Sequence, residues 1–207
     1  KTIMLLKNFL EILSNYKSHI IKIIFFEIFY VMMGYKGNQF NFSKNPRMTS
    51  NIPCPYYFLR KIEKKLKENN FNVFVDLGCG SGRAIDFFNK KFENKKFIGI
   101  DFFEEYCNLC KTIFKKNKNV KIIQSDFTKL NLSDFDADCF FFNDPILNQR
   151  ESIDFVKKIA ESKESNKSIL LIFVNCNKNL FNSFDQTNCV DSYYINNIKG
   201  YSIYRLD

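Results

Sequence analysis

Residues 73–83, Val-Phe-Val-Asp-Leu-Gly-Cys-Gly-Ser-Gly-Arg, restrict the fold more than any other part of the chain. An apolar run of strand length delivers Asp76, and Gly78, Gly80 and Gly82 then recur at every second position. Glycine at such places lets the backbone take positive φ and approach a neighbour or ligand closely. A strand that turns into a helix through such a loop fits an open α/β sheet, which binds ligands just beyond the carboxyl ends of its strands. The spacing differs from the dinucleotide fingerprint G-x-G-x-x-G, whose helix N-terminus receives a pyrophosphate. Here the third glycine comes one residue early and a carboxylate precedes the loop. That combination suits a ligand bearing an ammonium group better than one bearing phosphates, and it counts against a nicotinamide-dependent oxidoreductase.

Two further strands also end in acids. Phe97-Ile-Gly-Ile-Asp101 places a carboxylate where it can accept both hydroxyls of a ribose. Ile122-Ile-Gln-Ser-Asp126 puts Asp126 where it can accept from an adenine amino group, with Phe127 beside it to pack on the ring. Three successive strand tips with acids are seldom arranged by packing alone.

The rest of the chain alternates in the same way. Strands are predicted at Val73–Leu77, Phe97–Asp101, Val120–Gln124, Asp138–Asn143 and Ser168–Val174, with helices near 82–91, 103–116 and 150–163 between them. This alternation implies a parallel sheet covered on both faces. Val190–Ile195 and Tyr201–Arg205 flank Asn196-Asn197-Ile198-Lys199-Gly200, a hairpin turn that adds antiparallel strands. Ahead of the sheet, Met4, Leu5, Phe9, Ile12, Leu13 and Tyr16 recur at helical spacing and a second helix covers about 18–33. Gly34 and Gly37 end it before a polar loop, and Pro55 opens a helix from Tyr56 to about Asn69.

Taken together, Asp76-Leu-Gly-Cys79-Gly-Ser-Gly82, Asp101 and Asp126 resemble the core of class I S-adenosylmethionine-dependent methyltransferases. The resemblance covers about residues 50–205. Pro53-Cys-Pro-Tyr56-Tyr-Phe-Leu59-Arg60 is similar to the helix entry of a bacterial subgroup of mostly unassigned substrate, related to protein-lysine methyltransferases. It implies an α/β fold: a Rossmann-like seven-stranded mixed sheet with an antiparallel C-terminal hairpin, plus an N-terminal helical extension. The expected division is a 1–50 extension and a 51–207 methyltransferase domain. The implied cofactor is S-adenosyl-L-methionine, held by Asp76, Gly78, Cys79, Gly80, Gly82, Asp101, Phe102, Asp126, Phe127 and Asn143. Asn143-Asp144-Pro145 is similar to the N/D-P-P-Y/F motif of amino-group methyltransferases, though Asp144 interrupts it and Ile146 replaces the aromatic. The catalytic candidates are Asn143 and the Pro145 carbonyl to orient the acceptor, Asp144 to accept its proton, and Tyr56 (or Tyr57) to close the pocket. A strand end followed by an ordinary Asn-Asp-Pro turn is the structural alternative.

Charge and cysteines narrow the partners. The net charge of +9 is uneven: residues 1–70 carry 12 Lys/Arg against 4 Asp/Glu, and residues 71–207 carry 19 against 18. A basic N-terminal region can meet nucleic acid, anionic lipid or an acidic protein, or be a solvated surface. The expected acceptor is a protein or small molecule. A nucleic-acid methyltransferase and a non-catalytic S-adenosylmethionine-binding protein are the alternatives; the basic residues do not interleave with an aromatic platform of the RNA-binding kind. Seven cysteines without a regular framework indicate a reducing, cytoplasmic location. Cys107 and Cys110 have no second pair, so they read as buried or half-buried thiols and no metal is expected. Residues 18–33 are too short and too interrupted by Lys22 and Glu27 to span a bilayer. A packed helix is expected there, with peripheral membrane contact as the alternative.

Overall fold

Strands apolar on both faces need a helical layer on each side, and the chain provides two. The computed structural model describes residues 19–38, 52–143, 149–163, 167–177 and 188–207. The helix expected around Met4–Tyr16 and the polar loop beyond Asn38 lie outside these residues. Helix α1 spans Ile20–Met32 and α2 Tyr56–Glu68; β1 Val73–Leu77, α3 Arg83–Asn89, β2 Lys96–Asp101, α4 Glu104–Ile113 and β3 Val120–Gln124 follow. Two 3-10 turns lead to β4 Cys139–Asn143, α5 Gln149–Ser162, β5 Ile169–Val174, β6 Asn188–Tyr194 and β7 Gly200–Leu206.

The seven strands are ordered β3-β2-β1-β4-β5-β7-β6. Strands β1 to β5 pair in parallel, and β7 runs antiparallel between β5 and β6. In the hairpin turn the Asn196 side chain accepts from the N–H groups of Ile198 and Lys199, at 2.9 and 2.7 Å. Phe74, Phe97 and Phe141 fill one face of the sheet with Phe58, Leu59 and Ile62 of α2 and Ile85 and Phe88 of α3. Val75, Ile100, Phe140 and Phe142 fill the other with Phe155, Val156 and Ile159 of α5.

Helix α1 packs into the first of these clusters through Ile23 and Tyr30. The Tyr30 ring stacks on Tyr56 at 4.9 Å and meets Phe87 edge-on at 5.2 Å. Pro55, which stands at the cap of α2 rather than in its first turn, has no side-chain acceptor for the helix N–H groups. Glu27 of α1 fills that role: its Oε1 accepts from Tyr56 N at 2.9 Å. A carboxylate there also complements the positive end of the helix dipole. Its Oε2 bonds Arg83 Nη1 at 2.8 Å, and Arg83 is 3% exposed.

The segment after α1 lies against the glycine loop. Gly37 accepts from Ser81 Oγ at 2.8 Å, and Lys36 N donates to Asp86 at 2.8 Å. Gly37 has φ +75°, and a Cβ there would stand 2.4 Å from Arg83 N, so only glycine permits the approach.

Arg83 is a buried charge whose carboxylate partner comes from another helix. Glu27→Ala is expected to cost about 3 kcal/mol, because a buried guanidinium loses its ion pair. Glu27→Gln, which keeps an acceptor for Tyr56 N, is expected to cost less. Urea unfolding of the three proteins checks the order.

Candidate active site

Strand β1 carries Asp76 to the carboxyl edge of the sheet, where the residue is 3% exposed. No hydrogen bond reaches its carboxyl from the described residues. Burial, with the charge of Asp101 adding to it, pushes its pKa up to about 8. The group is therefore mostly a neutral acid at pH 7, and a cation brought beside it would reverse that preference.

The loop that follows has Gly78, Gly80 and Gly82 at φ +77°, +51° and +79°. Gly82 caps α3, and a Cβ on it would meet Cys110 Sγ and the Phe114 ring at 2.9 Å. The N–H groups of Gly78 and Cys79 both donate to Ile100 O, which holds the loop against β2. Cys79 is buried, and Cys110 donates to Gly80 O at 3.3 Å. Cys107 and Cys110 are both fully buried thiols.

Asp101 ends β2 and grips the same loop. Its Oδ2 accepts from Gly80 N at 2.8 Å and its Oδ1 from Phe103 N at 2.9 Å. Burial raises its pKa, opposed by the N–H groups of Phe103, Gly80 and Phe102. A carboxylate offers about four lone-pair positions, so about one or two remain for a ligand. Asp126 stands beyond β3 and caps its own turn, accepting from Thr128 Oγ1 at 2.6 Å and Thr128 N at 3.1 Å. The Thr128 hydroxyl is the main reason its pKa is lowered. The Phe127 ring packs edge-on against Phe155 at 5.2 Å, and Phe102 is 60% exposed with its edge on Phe103.

A crevice at the sheet edge brings together Asp76, Gly78, Cys79 and Asn143 with Ser81, Arg83 and Phe141. Asn143 Nδ2 donates to Ile52 O at 2.8 Å, and its Oδ1 accepts from Asn175 at 3.0 Å. Asp144 and Pro145 lie outside the described residues.

Tyr56 does not line this crevice. It is fully buried, its hydroxyl donates to Asn38 Oδ1 at 2.8 Å, and the Arg83 guanidinium sits 4.5 Å over its ring. Its ring is part of the α1–α2–α3 packing, apart from the crevice it was expected to close. Tyr57 likewise turns toward the hairpin, its hydroxyl 3.0 Å from that of Tyr193.

Sequence reasoning gave no role to Arg83, Glu27, Ser81 or Asn175. One signal was readable: a lone acid inside an apolar helix needs a buried partner, and Glu27 is that acid. Its partner, 56 positions away, was not.

Residues 74–165 match the family model of the methyltransferase domain. Among solved structures the chain is similar to a candidate caffeoyl-CoA O-methyltransferase from Staphylococcus aureus, at 15% identity over 75% of this chain and 85% of that one, with a TM-score of 0.59. It is also similar to a methyltransferase from Geobacter sulfurreducens, at 17% identity, 72% and 78% coverage and a TM-score of 0.57. An RNA methyltransferase from Salinibacter ruber, solved with S-adenosyl-L-homocysteine, shares 16% identity over 74% and 92%, with a TM-score of 0.53. No curated protein matches the sequence. At these identities the structural likeness speaks for the fold. The family match covers residues 74–165, and the mixed seven-stranded sheet has the fold of these methyltransferase structures.

The Asp76 pKa has a testable sign. An acid that ionises near 8 in the folded chain and near 3.8 when unfolded binds more protons when folded between those values. Stability therefore falls as pH rises from about 4 to about 8 and levels off above. Asp76→Asn removes that slope. The variant is expected to match wild type near pH 4 and to exceed it by a margin that grows to about 5 kcal/mol at pH 8. Parallel slopes in urea unfolding across that range would show the assignment wrong.

Proposed function

We propose that this chain transfers the methyl group of S-adenosylmethionine to an amino group, or another nucleophilic group, of a protein or small molecule. The observation that carries this reading is the buried Asp76, to which no described residue donates, behind a loop of three left-handed glycines. Such an acid fits the ammonium of an amino acid and fits phosphates poorly.

The other residues present are compatible with the same cofactor. Asp101 keeps lone pairs for ribose hydroxyls, and Asp126 keeps part of its carboxylate for the adenine amino group, with Phe127 and Phe102 next to these acids in sequence. Gly78 and Gly80 let the backbone come close, and Cys79 lies between them. When bound, S-adenosylmethionine supplies an electrophilic methyl on a sulfonium sulfur, which is taken by in-line displacement. Residues at the site then need mainly to orient the nucleophile, which is worth about 7–11 kcal/mol in well-aligned systems. Asn143 retains one amide N–H and one lone pair after its bonds to Ile52 and Asn175, enough to position an acceptor. The adjoining Pro145 carbonyl would hold the nitrogen and the Asp144 carboxylate would take its proton.

The Asn143 bonds also favour a second reading, a cofactor-binding protein without catalysis, because the amide already has a structural task.

S-adenosylmethionine or S-adenosylhomocysteine at a hundred times its Kd is expected to stabilise the chain by about 2.7 kcal/mol. That corresponds to a rise in Tm of roughly 5–10 °C for a chain of this size, and NAD should give none. Asp101→Ala is expected to abolish the shift. Asn143→Ala is expected to keep the shift but to lose transfer of radiolabelled methyl into a lysate. Transfer by Asn143→Ala at the wild-type rate would remove that residue from the site, and a wild-type chain that binds but never transfers would favour the second reading.

A further inference from the structure

Helix α1 is apolar almost all the way round, yet only one side of it is covered. Ile23 and Tyr30 are buried against α2 and α3. The opposite side exposes Ile21 (77%), Ile24 (37%), Phe25 (60%), Ile28 (56%), Phe29 (41%), Val31 (50%) and Met32 (81%). At 3.6 residues per turn these side chains form one continuous arc of roughly 160° with no charged residue inside it. A surface helix normally turns a polar face outward. Contiguous apolar patches beyond a few hundred Å² mark sites of contact with a protein or membrane.

Cations border one edge of the arc. Lys22 follows Ile21, and beyond it Arg60 of α2 lies 5.1 Å over the Phe26 ring. Burial lowers the pKa of Lys61; Asp191 opposes this, and the charges of Lys64 and Lys22 lower it further, so these ammonium groups share one field. Among the described residues Lys22, Arg60 and Lys64 form no ion pair. They belong to the stretch that holds nearly all of the chain's excess charge, +8 in residues 1–70 against +1 in the rest.

We propose that the outer face of α1 docks on an anionic lipid bilayer, with its apolar arc in the headgroup–acyl boundary and the Lys22–Arg60–Lys64 border on acidic headgroups. Thirteen residues make a helix about 20 Å long, and no described helix is long and apolar enough to cross a membrane. A helix of this kind lies in the plane of the interface. An isologous contact with a second copy would bring like-charged borders together. A nucleic acid would meet the cations but offers nothing to seven apolar side chains. Because Glu27 bonds both α2 and Arg83, docking through α1 would hold the crevice at the bilayer surface rather than on a loose tether. This inference stands independently of the reaction proposed above.

Co-sedimentation of the full chain with phosphatidylcholine vesicles, with and without phosphatidylserine, tests it. Binding is expected to need phosphatidylserine, to weaken as salt rises, and to fall by at least about tenfold in Phe25→Glu/Ile28→Glu. Both positions are exposed, so that variant should melt no lower than wild type. Lys22→Ala/Lys64→Ala, which leaves the arc intact, should lose the preference for anionic vesicles. No binding to either vesicle, or unchanged binding by both variants, would overturn the proposal. So would dimerisation or RNA binding that is lost in Phe25→Glu/Ile28→Glu while vesicles are ignored.

Discussion

Burying an ionisable acid to which nothing donates costs free energy, and the carboxyl edge of this sheet carries that cost at Asp76, which no described residue bonds. A second acid, Asp101, stands close enough for its charge to raise the Asp76 pKa further. Packing alone gives no reason for such a pair, since an apolar residue at the tip of β1 would fold more favourably. The surroundings keep the arrangement in place: three left-handed glycines carry the chain around Asp76, and Asp101 holds Gly80 by its backbone N–H. Asp76 is thus stored as a neutral acid at a position where a ligand cation would turn it into a charged one.

Arg83 extends the same logic outward. It is the first residue of α3, it lines the crevice, and its charge is balanced by Glu27 from a helix ahead of the sheet. Glu27 in turn supplies the acceptor that Pro55 cannot give to α2. One carboxylate therefore joins α1, α2 and α3 around the ring of Tyr56, and Gly37 lays the backbone of its segment directly on the glycine loop. Helix α1 is part of the wall behind the site.

The sheet was readable from sequence because its strands are apolar on both faces and separated by helices of ordinary length. All seven strands, α3 and α5 fall within two residues of expectation, α4 ends at Ile113 rather than at 116, and the hairpin turn is built by Asn196 as its composition implied. The glycine loop and the acids at the tips of β1, β2 and β3 were legible for a related reason: each follows an apolar run, so the strand end fixes where it must stand. Side-chain engagement was not legible. Tyr56 looked like a pocket residue because it precedes a helix near the site, but its neighbours Tyr30, Tyr35 and Phe87 draw it into the core. Asp126 is bonded by a threonine two residues on, and Asn143 by backbone 91 positions earlier. A partner as distant as that of Asn143 leaves no periodicity to read.

The central claim is that Asp76 waits protonated for an ammonium group. Calorimetric titration of S-adenosylhomocysteine at pH 7, in two buffers of different ionisation enthalpy, measures the protons exchanged on binding. An acid with a pKa of about 8 that becomes a carboxylate in the complex should release close to one proton, and Asp76→Asn should release none. Tight binding with no proton release by the wild-type chain would contradict the account.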